Sequence, residues 1–298
     1  MNPRGHKGHR LSRPAEERSI INYPETRKDF TTWLSNRDIT KDYRRQIVKS
    51  LDRLVTVISE PMDIVRMFEP LSRGQRKDLN RALRNLFNFL ENMGLHSAFL
   101  NLLRTNIPKD HLRVDINVPA EEQIAESLRV MAQANPRYNG IYNLIVDSGL
   151  RLVEAVRLYN TLSESEIHKC DRFNVVPLGY FRECKIAYYG FITDNTIELL
   201  LKSRGNVSYN SARRYLNKYV NKGRPRIITW KYLRKFVFDK MIELGVPESV
   251  ADFIEGRVPK RIGAKHYMVL LRQAKNFYPR YEEYVTSLRN KAGLEVLS

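Results

Sequence analysis

Arg151, Lys231, Arg234 and Arg257 are cations placed where a helix gives them no support, and Tyr267 follows Arg257 by ten residues. In Asp147-Ser148-Gly149-Leu150-Arg151-Leu152-Val153-Glu154 one helix reads as ending, the chain turns at Gly149, and a new helix opens with Arg151. The N–H groups exposed in a first helical turn already carry partial positive charge, so an arginine there calls for a negative group outside the helix. Thr229-Trp230-Lys231-Tyr232-Leu233-Arg234 repeats the arrangement, with Lys231 and Arg234 at i, i+3 in another first turn. Ile254-Glu255-Gly256-Arg257 adds an arginine just past a glycine, and Tyr267 lies in Gly263-Ala264-Lys265-His266-Tyr267-Met268. The chemistry these types could perform is capture of an anion by several cations, with a phenol to act on it.

The charge of the whole chain agrees. Its 298 residues hold 51 Lys+Arg against 33 Asp+Glu, a formal net charge of +18, which favours a polyanionic partner. Residues 1–110 contain 21 basic and 13 acidic residues and residues 111–298 contain 30 and 20, so both halves are suited to touch it. No uncharged apolar run approaches the roughly 18 residues that cross a bilayer, and the start of the chain lacks the apolar core of a signal peptide. A cytoplasmic, nucleoid-associated protein without a membrane partner is expected. Cys170 and Cys184 show no CxxC and no metal-ligand spacing, so they are expected as reduced thiols, with pairing across a hairpin as the alternative.

The elements that must position these residues can be followed along the chain. Residues 1–20, with Arg4, His6, Lys7, His9, Arg10 and Arg13, read as a flexible basic arm. Residues 21–107 read as a helical domain without strands. Thr40 is a plausible N-cap for a helix of roughly 17 residues whose apolar face is Tyr43, Ile47, Leu51, Leu54, Val55 and Ile58. The same helix carries Lys41, Arg45, Lys49 and Arg53 at i, i+4, a continuous basic stripe. A second helix runs from after Ser72 to Gly94, with Leu79, Leu83, Leu86 and Leu90 inward and Arg73, Lys77, Arg81 and Arg84 on other faces. Two such helices could straddle a duplex and neutralise phosphates.

Residues 108–119, bracketed by Pro108 and Pro119, read as a linker, with Pro119 at the first position of a helix over 120–134 and another helix over 138–148. A short hairpin is expected from Phe173–Leu178 and Lys185–Phe191, and helices resume near Thr193, Ser208, Thr229 and Pro247. The apolar residues beyond Tyr267 suggest a C-terminal tail that docks on a neighbouring protomer.

Gly149-Leu150-Arg151 with Glu154, then Lys231 and Arg234, then Gly256-Arg257, then Tyr267, taken in this order, resemble the catalytic series of the tyrosine recombinases. Lys231 and Arg257 at positions where other members carry histidine are similar to the integrases of archaeal viruses and plasmids. The resemblance covers residues 120–298; the helical domain before it fits the family's core-binding domain by size, charge and position. It implies a mainly α fold, a helical core-binding domain followed by a mostly helical catalytic domain with a small antiparallel β-sheet.

The resemblance also implies an activity, with double-stranded DNA attachment sites as partners and no cofactor or metal. Tyr267 would attack a phosphodiester, giving a 3′-phosphotyrosyl link and a 5′-hydroxyl, in the integration or excision of a mobile element. Arg151 and Arg234 would clamp the phosphate, with Lys231 and Arg257 assisting and Glu154 aiming Arg151. Lys185 would be the general acid, with Lys169 as the nearby alternative, and Tyr278, Tyr281 and Tyr284 are the alternatives to Tyr267. The expected assembly is a homotetramer on DNA that is monomeric in solution. Two other readings stay open here: a type IB topoisomerase-like enzyme, and a non-catalytic DNA-binding protein of the same fold.

Overall fold

The computed structural model describes residues 20–109, 115–182, 185–221, 227–257 and 267–294, with side chains except at 180–182, 185, 220, 221, 267 and 268. The expected basic arm before Ile20, Cys184, and the side chains of Lys185 and Tyr267 therefore lie outside the described residues. The chain divides into two compact units, Met1–Val114 and Asp115–Ser298.

The first unit contains β1 (Ile21–Asn22), α1 (Tyr23–Ser35), α2 (Lys41–Leu54), β2 (Val57–Ile58), α3 (Pro61–Phe68), α4 (Arg73–Asn92) and α5 (Ser97–Thr105). Thr40 caps α2, its hydroxyl accepting from the Tyr43 N–H at 3.3 Å. The helix is shorter than the spacing predicts because Val55 turns extended (φ −121°) to feed β2. That strand pairs antiparallel with β1, Ile21 opposite Ile58. The unit is thus not strand-free; two-residue strands joined across the sequence leave no local periodicity to read. Phe30, Leu34, Ile47, Leu51, Leu83, Leu86 and Phe87 fill its core. Lys41, Arg45, Lys49, Arg53, Arg73, Lys77 and Arg81 are all exposed.

The second unit begins with α6 (Glu121–Ala132), α7 (Pro136–Ser148) and α8 (Leu152–Thr161), followed by a single 3-10 turn. Pro119 stands just outside α6 rather than at its first position: the Gln123 side chain accepts from the Ala120 N–H at 2.9 Å, which sets the helix start one residue beyond. Pro136 takes the first-turn place in α7 instead, after Asn135, whose side chain accepts from the Arg137 N–H. Next come β3 (His168–Cys170), β4 (Phe173–Arg182) and β5 (Lys185–Thr193), antiparallel in the order β3-β4-β5. The expected hairpin is therefore longer and has a third strand, too short and too exposed to show an alternating pattern. The register slips between Pro177 and Tyr180, where Gly179 has φ +52° and the chain accommodates a proline that cannot donate to the ladder. Cys170 is a free thiol.

The unit closes with α9 (Asp194–Lys202), α10 (Tyr209–Asn221), α11 (Trp230–Glu243), α12 (Glu248–Ile254) and α13 (Tyr267–Lys291). Tyr278, Tyr281, Val285 and Leu288 of α13 are buried in the same core as Ile141, Ile145, Leu150 and Phe191. The C-terminal segment thus packs on its own chain through Ala292, and Val296 and Leu297 of the expected docking tail lie outside the described residues. Buried Arg289 fastens the end of the helix: it pairs with Asp147 on α7 and donates to Thr193, Thr196 and Asn143. Asp147 also accepts from the Thr193 N–H and hydroxyl at 2.9 and 2.8 Å, so this buried pair is well satisfied. Among the described residues no helix is long and apolar enough to cross a membrane.

Candidate active site

The turn at Gly149 does what its sequence suggests. Gly149 ends α7 at φ +63°, and a β-carbon there would stand 2.6 Å from Glu255 Cγ and Oε1, so only glycine gives both the turn and the close approach. Two residues on, Arg151 is the N-cap of α8 in extended conformation. Glu154 holds it from within the helix: its Oε2 accepts from the Arg151 N–H at 2.8 Å and its Oε1 from Arg151 Nη1 at 2.6 Å. Glu154 is fully buried, so this pair aims the guanidinium as expected from their i, i+3 spacing.

Arg151 Nη1 also donates to the Gly256 carbonyl at 2.8 Å. Gly256 (φ +68°) terminates α12 in a Schellman motif, Arg257 N–H to Asp252 carbonyl at 2.8 Å and Gly256 N–H to Phe253 carbonyl at 3.1 Å. Arg257 leaves this turn with its guanidinium over the Phe238 ring, 5.0 Å from the centroid, and 2.8 Å from Glu255 Oε2. Arg234 arrives from α11, whose start is fixed by Tyr142 donating to the Ile228 carbonyl and Ser127 accepting from the Ile228 N–H, both at 2.9 Å. Its Nη2 lies 3.5 Å from Glu255 Oε2 and its Nη1 lies 3.8 Å from Glu154 Oε2.

Three arginines from separate parts of the sequence thus converge on two fully buried carboxylates, Glu154 and Glu255. The polar satisfaction is incomplete. Among the described residues, Arg234 Nη1 and both Glu255 oxygens are buried without a hydrogen bond; the ion-pair contacts they make are not aligned as such. Burial lowers the Arg234 pKa to about 10 against the attraction of Glu255. Burial likewise pushes the Glu255 carboxyl up to about 7, opposed by Arg234 and Arg257.

Lys231, one turn before Arg234, does not join this cluster. Its ammonium bonds Asp115 Oδ2 at 2.7 Å, which raises the Lys231 pKa and holds the Asp115 carboxyl well below the usual range. Lys235 pairs with the other Asp115 oxygen at 3.0 Å. Of the two candidate lysines on the sheet, Lys169 on β3 pairs with Asp194, and its backbone partner Asn174 stands opposite Ile192 on β5. Lys185 opens β5 at the other end, seven residues or roughly 23 Å away along the strand. Two residues from Lys185, Ala187 is the contact point for Gly256: a β-carbon on Gly256 would stand 2.7 Å from the Ala187 Cβ.

Tyr267 is the first residue of α13. The three later tyrosines are occupied. Tyr278 and Tyr281 are fully buried, donate to the Asp147 and Val146 carbonyls, and burial raises both well above the ordinary phenol value. Tyr284 donates to Glu121 at 2.8 Å.

Glu255 and Asp115 are the residues that sequence reasoning missed. A glutamate next to Arg257 looks like part of a solvated pair, and only its place between buried Ile254 and a helix-ending glycine hinted at burial. Asp115 carried no signal, since its partners lie 116 and 120 residues away.

Residues 116–284 match the archaeal phage integrase family. The chain belongs to that family. The integrase is a site-specific recombinase of the tyrosine type. Among curated proteins none matches it. Its fold is similar to a lambda integrase (75–356) dimer bound to a COC′ core site, with TM-score 0.58, 12% identity, and coverage of 82% of this chain and 97% of that one. It is also similar to a lambda integrase tetramer bound to a Holliday junction, with TM-score 0.58, 14% identity, and coverage of 89% and 86%.

Proposed function

We propose that this integrase cuts and rejoins double-stranded DNA at attachment sites of a mobile element through a 3′-phosphotyrosyl intermediate, with Tyr267 as nucleophile. The observation that carries the reading is the arginine cluster, in which buried Arg234 Nη1, close to Arg151 and Arg257, has no hydrogen-bond partner among the described residues. A buried cationic donor left open is costly unless an anion completes it. A phosphodiester supplies planar-matched acceptor oxygens for such guanidinium groups.

In the proposed step the Tyr267 Oη–P bond forms as the P–O5′ bond breaks. The phenol loses its proton to solvent water, and the departing 5′-oxygen takes one from the Lys185 ammonium. Charge on the non-bridging oxygens grows as phosphorus becomes five-coordinate, and fixed guanidinium groups stabilise that growth. One ester is exchanged for another, so a 5′-hydroxyl from a second duplex can reverse the step. Lys185 is favoured over Lys169 by the contact of its end of β5 with Gly256. Lys231 would serve after release from Asp115. The exposed stripes of α2 and α4 would hold flanking phosphates, and a tetramer on paired sites, monomeric when free, is the assembly the reading requires. The buried states of Tyr278 and Tyr281 support Tyr267 as the nucleophile.

Incubating wild type and Tyr267→Phe with a nicked attachment-site duplex, without metal, and separating the products under denaturing conditions tests the reading. A covalent 3′-adduct from wild type alone is expected. An adduct from both proteins would assign the nucleophile elsewhere, and none from either would leave a DNA-binding protein.

A further inference from the structure

Glu255 is the part of the site that a phosphate clamp does not obviously need. It approaches the arginines from the end of α12, is wholly buried, and presses so close to the chain at Gly149 that no β-carbon fits there. The charged and titratable groups around it are Arg151 and Glu154 at the start of α8, Arg234 on α11, Asp252 on α12, Arg257 beyond it, and the Tyr281 phenol on α13. Among the described residues around Glu255, with Glu154, Glu255 and Asp252 ionised, three carboxylates balance three arginines. A bound phosphodiester adds one negative charge, and the five-coordinate state adds another.

One carboxylate in the cluster is far easier to neutralise than its neighbour. Both Glu154 oxygens accept hydrogen bonds from Arg151, at 2.6 and 2.8 Å. Neither Glu255 oxygen accepts any from the described residues. A carboxylate stabilised by charge alone, without hydrogen bonds, is the one whose ionised form a nearby anion most readily displaces.

We propose that Glu255 is a positioning residue which holds Arg234 and Arg257 as their buried counter-charge in the DNA-free integrase and takes up a proton as the scissile phosphodiester enters. This rests on the reading that the phosphate binds among Arg151, Arg234 and Arg257. The carboxylate occupies, in the empty site, the charge that the phosphate later supplies. Protonation on binding then restores the balance without moving the arginines. The consequence is that binding of the scissile phosphate is coupled to proton binding, and is weakened as pH rises. The direction of the carboxyl in the empty site agrees: it is already up to about 7, so the proton is available near neutrality.

The test counts protons by calorimetry at pH 8 in buffers of different ionisation enthalpy, with Tyr267→Phe so that no cleavage heat contributes. Three titrations are compared: the attachment-site duplex, the same duplex with a neutral methylphosphonate at the scissile position, and the normal duplex with Glu255→Gln added. A carboxyl near 7 is about one-tenth protonated at pH 8, and an added like charge that raises it by about 1–2 units gives an uptake of roughly 0.4–0.8 proton. That uptake is expected in the first titration and absent from the other two. Equal uptake in all three, or none in the first, overturns the proposal. The methylphosphonate arm uses unaltered Glu255, so it decides the matter even if Glu255→Gln does not fold. A wild-type covalent adduct on the same duplex separates the two failures: without it the phosphodiester reading itself falls, and with it only the role of Glu255 does.

Discussion

Gly256→Ala tests the joint between the arginine cluster and β5. Two separable penalties follow from the structure. At φ +68° an alanine carries a left-handed penalty of about 1–2 kcal/mol. Its methyl would stand 2.7 Å from the Ala187 Cβ and 3.3 Å from Leu150 Cδ2, well inside the 3.5–4.0 Å at which carbon atoms rest, and overpacking of this kind costs about 1–3 kcal/mol. Urea denaturation followed by circular dichroism should show a loss of roughly 2–5 kcal/mol for the second unit. Because the Gly256 carbonyl anchors Arg151 Nη1, a displacement of about 1 Å should also slow single-turnover cleavage on the order of a hundredfold. Adding Ala187→Gly removes the opposing methyl but leaves the backbone strain. The double-mutant cycle should therefore show a favourable coupling of about 1–3 kcal/mol, with the left-handed penalty still present. A Gly256→Ala protein within about 0.5 kcal/mol of wild type, or singles that simply add, would refute the packing argument.

Replacing Lys41, Arg45, Lys49 and Arg53 by Gln should weaken DNA binding and lower the slope of log affinity against log salt by about 0.9 for each phosphate no longer neutralised; an unchanged slope would remove α2 from the interface. Glu255→Gln should change the pH dependence of stability, because the folded carboxyl is raised from 4.5 to about 7 and the native state holds the extra proton. Wild type should therefore lose about 3 kcal/mol relative to Glu255→Gln as pH rises across that interval, and parallel stability curves would count against the buried placement. Asp115→Asn should free Lys231 and speed cleavage about two- to fivefold, whereas slower cleavage would mean that the ion pair helps the reaction. Arg289→Met leaves Asp147 buried without its cation and should destabilise the second unit by about 3–5 kcal/mol, much of it recovered by adding Asp147→Asn; a loss below about 1 kcal/mol would show that the pair is not buried in solution.

What was legible in the sequence was whatever depended on neighbours in the chain. The Thr40 cap, the turn at Gly149, the Arg151–Glu154 pairing and the starts of the helices at Thr193, Thr229 and Pro247 all arise within four residues of the signal that predicts them. Long-range effects were not legible. β1 and β2 pair across 37 residues at Ile21 and Ile58, and each is too short for a period of two to appear. Lys231 looked equivalent to Arg234, yet a partner at Asp115 draws the ammonium away while Arg234 turns inward to Glu255. The aromatic and aliphatic residues of the C-terminal segment announced burial correctly, but apolarity does not say against what. For Tyr281, Leu288 and Leu294 the answer was the core of the same chain.

That answer bears on how copies of the integrase can associate. An exchange of α13 between protomers would withdraw Tyr278, Tyr281, Val285 and Leu288 from water-free surroundings, each worth about 1.5–3 kcal/mol, before breaking the Arg289 clasp. The sum approaches the about 5–15 kcal/mol that holds a whole domain together. Swapping this helix is thus equivalent in cost to unfolding the unit, and a swapped dimer would arise during refolding or at high temperature rather than during a recombination cycle.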